Sequence, residues 1–189
     1  PKTVKSERVS LRKEAKKMLS DSYIKNMVRN YNFYERDMNP FGSLANDLVD
    51  NGDGTVTDKT TGLMWQKSGS AAVQKGNLVK KYLRQLNRDR FAGHSNWRLP
   101  TIDELASLLE KKNIEGFYID PIFDKRQEQC WTADTEEVAY WKSVFETWAV
   151  DFKEGRIKVI IWSTRKAHLR LYTDYDASFY TRAVRSLEN

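Results

Sequence analysis

Residues 50–65 read DNGDGTVTDKTTGLMW, and the turn-forming residues in this stretch decide the local fold. The dipeptides Asn51-Gly52 and Asp53-Gly54 favour tight turns, because glycine accepts the positive φ that primed hairpin turns require. β-Branched and apolar residues follow, so the stretch predicts a β-hairpin and then a further strand. A calcium loop of the EF-hand type needs an oxygen ligand at its third position, where this stretch has Gly52, so we favour the turn.

Two amphipathic segments downstream predict helices beside this hairpin. Residues 73–90 place apolar side chains on one face and basic side chains on the other, which is typical of a surface helix. The apolar positions are Val79, Tyr82, Leu83 and Leu86, and the basic ones are Lys80, Lys81, Arg84 and Arg88. A capping box at Thr101 and Glu104 then predicts the start of a second helix, which buries Leu105, Leu108 and Leu109. Beyond residue 119 the pattern indicates short strands and long loops.

The first 45 residues predict a basic arm and a short helix that packs on the domain that follows. Residues 1–19 alternate charged and small polar groups, as expected of a solvated extension or a marginal helix. Ser20 is a candidate N-cap, and Ile24, Met27, Val28 and Tyr31 then follow at helical spacing. The predicted division is therefore an arm and helix at 1–45 and a domain at 46–189.

The formal net charge of +6 is unevenly distributed along the chain. Residues 1–31 hold nine Lys or Arg against three acidic residues, and residues 153–170 hold six against Glu154 alone. The basic character thus belongs to the arm and one C-terminal segment, and no nucleic-acid-binding motif accompanies it. We therefore do not expect a nucleic-acid partner. No apolar run reaches the ~20 residues of a membrane span.

The residues capable of catalysis are few and scattered. Cys130 is the single cysteine, and we expect it to be buried beside Trp131 in a strand. His94, one of two histidines, is expected to fix a turn. Trp65, Trp97 and Trp148 lie among apolar neighbours, so we expect core positions with each indole N–H hydrogen-bonded inside the protein. No enzyme activity, cofactor or metal site is predicted.

Four blocks, in order along residues 46–187, resemble one bacterial family. They are DNGDGTVTDKTTGLMW at 50–65, AGHSNWRLPTIDELASLL at 92–109, TWAVDFKEGRI at 147–157 and YTRAVRS at 180–186. This pattern is similar to the Lcl C-terminal domain family, also called DUF1566, whose fold resembles the C-type lectin-like domain. The resemblance implies an α+β fold in which two helices pack on small, mostly antiparallel twisted sheets with long loops. It also implies that residues 63–65 pair with residues 183–185.

The resemblance implies recognition through the long loops of the C-terminal half. The implied ligand-binding residues are Trp141, Trp162, Arg165, His168, Arg170, Tyr172, Asp174 and Tyr175. Aromatic rings stack on sugar rings, while Arg and Asp side chains form directed hydrogen bonds. The sequence lacks the Glu-Pro-Asn, Gln-Pro-Asp and Trp-Asn-Asp motifs of calcium-dependent lectins.

Three functions remain open at this point. The first is a carbohydrate-binding, adhesin-like module for a glycan or cell-surface ligand, which the family associates with an extracytoplasmic or cell-surface location. The second is a protein-interaction or sensor module of a larger bacterial protein. The third is an enzyme on the related sulfatase-modifying scaffold, whose chemistry uses two cysteines where this chain has one.

Overall fold

The computed structural model describes residues 8–124, 126–137, 144–163 and 178–187, in which three α-helices accompany nine short strands. The helices are α1 (Asp21–Asn30), α2 (Gly76–Arg88) and α3 (Ile102–Ala106), and a 3₁₀ turn follows α2 at Phe91–Gly93. The strands are β1 (Leu48–Asp50), β2 (Thr55–Asp58), β3 (Leu63–Gln66), β4 (Gln74–Lys75), β5 (Gln129–Glu137), β6 (Val144–Asp151), β7 (Arg156–Ser163), β8 (Ser178–Phe179) and β9 (Val184–Ser186). The chain is α+β, as the sequence predicts.

A four-stranded antiparallel sheet has the order β1-β2-β3-β9. Strands β1 and β2 form the hairpin predicted at residues 50–65, with φ of 76° at Gly52 and 87° at Gly54. Strand β9 joins from the far end of the sequence and places Val184 opposite Trp65. The expected pairing of residues 63–65 with the C-terminal block is confirmed.

A second antiparallel sheet has the order β5-β6-β7, and the short strands β4 and β8 form a separate pair. The register of β5 against β6 shifts between Trp131 and Thr135, which marks a bulge. A parallel bridge between Cys130 and Tyr180 links this sheet to the C-terminal segment. Arg98 forms an isolated antiparallel bridge with Val184 of β9.

The three tryptophans expected in the core are all buried, and Trp65 and Trp148 belong to the main hydrophobic cluster. Trp65, Trp97 and Trp148 are 0%, 2% and 8% exposed. The Trp97 indole N–H donates to the carbonyl of Phe91 at 3.0 Å, as expected. For Trp65 the expectation of an internal hydrogen bond is wrong, because its buried Nε1 has no acceptor among the described residues. Trp65 is therefore held by packing.

The predicted starts of α1 and α3 are confirmed. The Ser20 hydroxyl accepts from the Tyr23 amide, and α1 buries Ile24, Met27 and Val28. Thr101 and Glu104 form the reciprocal capping box that starts α3. Leu105, Leu108 and Leu109 are all buried.

The amphipathic helix predicted at residues 73–90 is shorter than expected, since α2 spans Gly76–Arg88. Its start is delayed because Gln74 and Lys75 pair with β8, which keeps their backbone extended. Only Val79 is fully buried on α2, whereas Tyr82, Leu83 and Leu86 are half-buried.

The N-terminal segment is mostly exposed from residue 8 to residue 18, but it is anchored to the rest of the chain. Leu11 and Leu19 belong to the main core. Arg12 Nη2 lies 2.6 Å from Asp103 Oδ2, and its Nη1 lies 2.7 Å from Asp134 Oδ1. Solvation alone is thus an incomplete description of this segment, because two apolar side chains and one guanidinium hold it in place.

Candidate ligand-binding face

One end of the β5-β6-β7 sheet carries the chain segments that the sequence implicates in ligand binding. Glu137 pairs with Phe145, and Val144 pairs with Ser163, so the three strands reach the same end of the sheet. Residues 138–143 follow β5 and precede β6 in sequence, and residues 164–177 follow β7. Antiparallel pairing therefore brings the residues that flank 138–143 close to the residue that precedes 164–177.

A cluster of aromatic side chains lies beneath one face of this sheet. Phe145 and Trp162 stack with ring centroids 4.6 Å apart, and Trp131 lies 4.7 Å from Phe179. Trp131 also lies 5.7 Å from Trp162. Together with Val79 these rings form a second hydrophobic cluster, which fixes the strands whose ends carry the predicted segments.

Trp162 is the one predicted ligand-binding residue that lies within the described part of the chain. It is 8% exposed, and its indole N–H donates to Thr147 Oγ1 at 2.8 Å. These contacts give Trp162 a packing role, and its predicted contact with ligand stays a prediction. Seven predicted residues lie outside the described residues: Trp141, Arg165, His168, Arg170, Tyr172, Asp174 and Tyr175.

The basic segment at residues 153–170 is largely neutralised where the structure describes it. Lys158 Nζ lies 2.8 Å from Asp151 and 3.0 Å from Glu154. Arg156 pairs with Asp37 at 3.2 Å, and Lys153 pairs with Glu128 at 3.3 Å. Attraction of an anionic ligand by this segment would therefore depend on Arg165, Lys166 and Arg170.

The opposite face of the sheet has a groove of about 310 Å³ that sequence reasoning did not identify. Its lining includes Ile24, Met38, Trp148, Ile157 and Val159, with Asp21, Lys25, Glu35 and Asp37 as the charged members. The sequence signal for this groove is the alternation of Ile157, Val159 and Ile161, which places three apolar side chains on one face of β7. Part of that apolar face stays exposed. Val159 and Ile161 remain 39% and 36% exposed.

Glu35 organises the rim of that groove without being available to a ligand. Its carboxylate accepts from the amides of Asp37 and Met38 at 2.9 and 2.7 Å, and from the Ile157 amide at 3.2 Å. Because these bonds satisfy the buried carboxylate, Glu35 is a structural link between the connector after α1 and strand β7.

The reactive side chains considered from the sequence are held in structural positions. Cys130 is fully buried, as expected, and burial raises the pKa of its thiol to about 11. A thiol with that pKa is protonated near neutral pH and is a poor nucleophile. His94 follows the 3₁₀ turn, and its ring packs edge-on against Trp97 at 6.3 Å.

Arg182 is a fully buried cation of the C-terminal block and ties that block to two loops. Its guanidinium donates to the carbonyls of Gln66 at 2.8 Å and Asp124 at 3.2 Å, and it also reaches the carbonyl of Lys67. The guanidinium also lies 4.8 Å from the Phe123 ring centroid. Burial lowers the pKa of Arg182. No local sequence pattern predicts this buried cation.

Two general features of the described ranges bear on function. These ranges contain no group of three or more His, Cys, Asp or Glu side chains arranged to hold a metal ion. Within the same ranges, every helix is too short or too polar to cross a bilayer.

Comparison with known proteins gives one match. A family model described as the Lcl C-terminal domain matches residues 54–173, which extend from the β1–β2 turn to beyond β7. No curated protein and no solved structure matches the chain.

Proposed function

Because the chain belongs to the Lcl C-terminal domain family, we propose that it is a non-catalytic recognition module of C-type lectin-like fold. Its ligand is a glycan or another cell-surface ligand, bound through the loops of the C-terminal half. This assignment includes the carbohydrate-binding and adhesin-like role implied by the sequence resemblance.

The topology supports the fold part of the proposal. In a C-type lectin-like arrangement, strands from early and late in the chain pair, and helices pack beside the sheets. Here β3 pairs with β9, and α3 packs against both β5 and β6.

The single observation that carries the proposed function is the common origin of the two loop segments. The strand ends that flank residues 138–143 lie beside the end of β7, after which residues 164–177 begin, and hydrogen bonding holds these ends side by side. These segments contain Trp141, Arg165 and Arg170, a combination of aromatic and guanidinium groups that suits sugar rings bearing hydroxyl or acidic substituents. Loops on a rigid scaffold are the usual place for binding residues.

A glycan array probed with the full chain tests this function. We expect selective retention of particular glycans, with roughly tenfold weaker binding for Trp141→Ala and for the double variant Arg165→Gln/Arg170→Gln. Added salt should weaken the interaction, since it screens exposed charges.

A matched control removes the same charge from the same segment. In Lys153→Gln/Arg156→Gln the lost cations are already paired with Glu128 and Asp37, so binding should persist. If both double variants lost glycan binding equally, the loss would be an effect of net charge alone. If no glycan on the array were bound and a protein partner were captured only when Trp141 is present, the domain would instead be a protein-interaction module.

A further inference from the structure

The solvent side of α2 carries four exposed cations and no acidic residue. Lys80, Lys81, Arg84 and Arg88 are all exposed, and the helix contains no Asp or Glu. At about 100° per residue, these four positions fall within an arc of roughly 100° on the side opposite Val79. They form one continuous basic stripe, defined here as the α2 stripe, about 12 Å long.

The α2 stripe is not neutralised by the described parts of the chain. Lys80, Lys81 and Arg84 make no hydrogen bond or ion pair there, and Arg88 reaches only the Gln85 side chain at 3.4 Å. Asp89, just past the helix end, accepts from Gln85 instead. By contrast, the described cations at residues 153, 156 and 158 each have a carboxylate partner.

Helix stability does not explain this arrangement. Lys80 and Arg84, and then Arg84 and Arg88, repel each other at i,i+4 spacing. The N-cap Lys75 provides no side-chain cap, and the first turn has no acidic residue to complement the helix dipole. Local features that oppose the stability of their own element are often found where a surface serves a partner.

Two exposed apolar side chains accompany the α2 stripe. Leu78 lies in the first turn of α2 and is 48% exposed, and Val73, just before β4, is 49% exposed. A soluble polyanion would neutralise the cations but leave these apolar groups in water. An anionic lipid surface satisfies both, because headgroups attract the cations while the apolar side chains enter the headgroup boundary.

We propose that the α2 stripe, with Leu78 and Val73, docks this domain reversibly on a membrane surface rich in anionic lipid. The attachment is peripheral and salt-sensitive. It uses a different element from the loops proposed to recognise a glycan, and it does not depend on that function.

Flotation of the full chain with lipid vesicles tests the proposal. We expect binding to phosphatidylcholine vesicles that contain phosphatidylglycerol and none to phosphatidylcholine alone. Each cation removed from the α2 stripe should weaken binding roughly fivefold. The stripe variant replaces Lys80, Lys81, Arg84 and Arg88 with Gln, which is also a good helix former.

The matched control replaces four exposed cations outside the stripe with Gln: Lys13, Lys17, Lys25 and Arg29. It changes the net charge equally and should still bind, while Leu78→Ser should bind more weakly. Circular dichroism melts confirm that each variant is folded.

Three outcomes would overturn the proposal. The first is vesicle binding by the stripe variant that equals binding by the wild type. The second is an equal loss of vesicle binding in the stripe and control variants. The third is vesicle binding that is unchanged by Leu78→Ser, together with equally strong binding of soluble dextran sulfate. The last result would identify a site for a soluble polyanion.

Discussion

Arg12 joins the N-terminal segment to the domain through two buried carboxylates. Burial opposes its charge, but the hydrogen bonds and attraction of Asp134 and Asp103 outweigh this and raise the pKa of Arg12. Asp134 also accepts from the Ile102 amide at 2.6 Å, so the same carboxylate caps the start of α3. One guanidinium thus holds together three segments that are distant in sequence.

Replacing Arg12 with Ala should strip both carboxylates of their counter-charge. We expect the free energy of unfolding to fall by about 3–5 kcal/mol, because an uncompensated buried charge is costly. Arg12→Lys should lose less, since the charge remains but the paired hydrogen bonds do not. Urea denaturation measures both, with the exposed Lys13→Ala as control, and equal stability of the Arg12 and Lys13 variants would refute this role.

Glu110 links stability to pH. Burial, and then the nearby charge of Asp120, raise the pKa of Glu110 from 4.5 to about 7. The fold therefore favours the protonated carboxyl, and the associated stability is complete below pH 4.5 and is lost as the pH rises through 7. Glu110→Gln should be more stable than the wild type at pH 8. Thermal melts between pH 4 and pH 8 measure this. If the melting temperatures of both proteins changed equally with pH, Glu110 would not be the group responsible.

Single-residue features were predictable where their causes are local. Cys130 stands beside Trp131 in a stretch with strand character, so its burial was foreseeable. The ion-pair partners of Arg12 lie far from it in sequence: Asp103 is 91 residues away and Asp134 is 122 residues away. No periodic pattern in the sequence predicts these pairs. The pKa of Glu110 likewise depends on Asp120 and Asp58, which are brought close only by folding.

Elements follow the same division between local and distant causes. The β1–β2 turn and the α3 capping box were predicted because residues within a few positions create them. The start of α2 was misplaced because β8, about a hundred residues away in sequence, extends the backbone at Gln74 and Lys75. The sequence did not predict that the ends of β5, β6 and β7 next to the predicted binding segments are neighbours, because that arrangement depends on the register of the sheet.

Gly76 at the start of α2 packs directly against Trp162. A Cβ there would lie 2.6 Å from the indole ring. Gly76→Ala should therefore lower the free energy of unfolding by about 1 kcal/mol, since overpacking costs about 1–3 kcal/mol and exceeds the helix gain. Denaturation of Gly76→Ala and the exposed Asn77→Ala measures this. A Gly76→Ala protein as stable as the wild type would show that Trp162 moves freely.

The whole molecule has a main core that crosses the domain boundary predicted at residue 45. Leu11, Ile24, Val28 and Phe33 pack in the same cluster as Trp65. The packing helix expected from the sequence thus shares a core with the domain, whereas the contact of Leu11 was not foreseen because the residues around it are mostly charged or polar. Spaced apolar residues in α1 were the one signal of the shared core.

Removing residues 1–45 should consequently destabilise the remainder. We expect the full chain to unfold in one cooperative transition, and residues 46–189 alone to lose that transition or to melt at a much lower temperature. Calorimetry of both chains decides this. A truncated chain with the melting temperature of the full chain would make the N-terminal region an appendage.

We propose that ligand recognition occurs at the shared end of β5, β6 and β7. The most direct measurement is an amide NMR titration of the full chain with a glycan that the array retains. We predict the largest shifts at Glu137, Val144 and Ser163 and in the segments 138–143 and 164–177 that they anchor. Shifts confined to the α1–β7 groove or to α2, with those strand ends unchanged, would contradict the account.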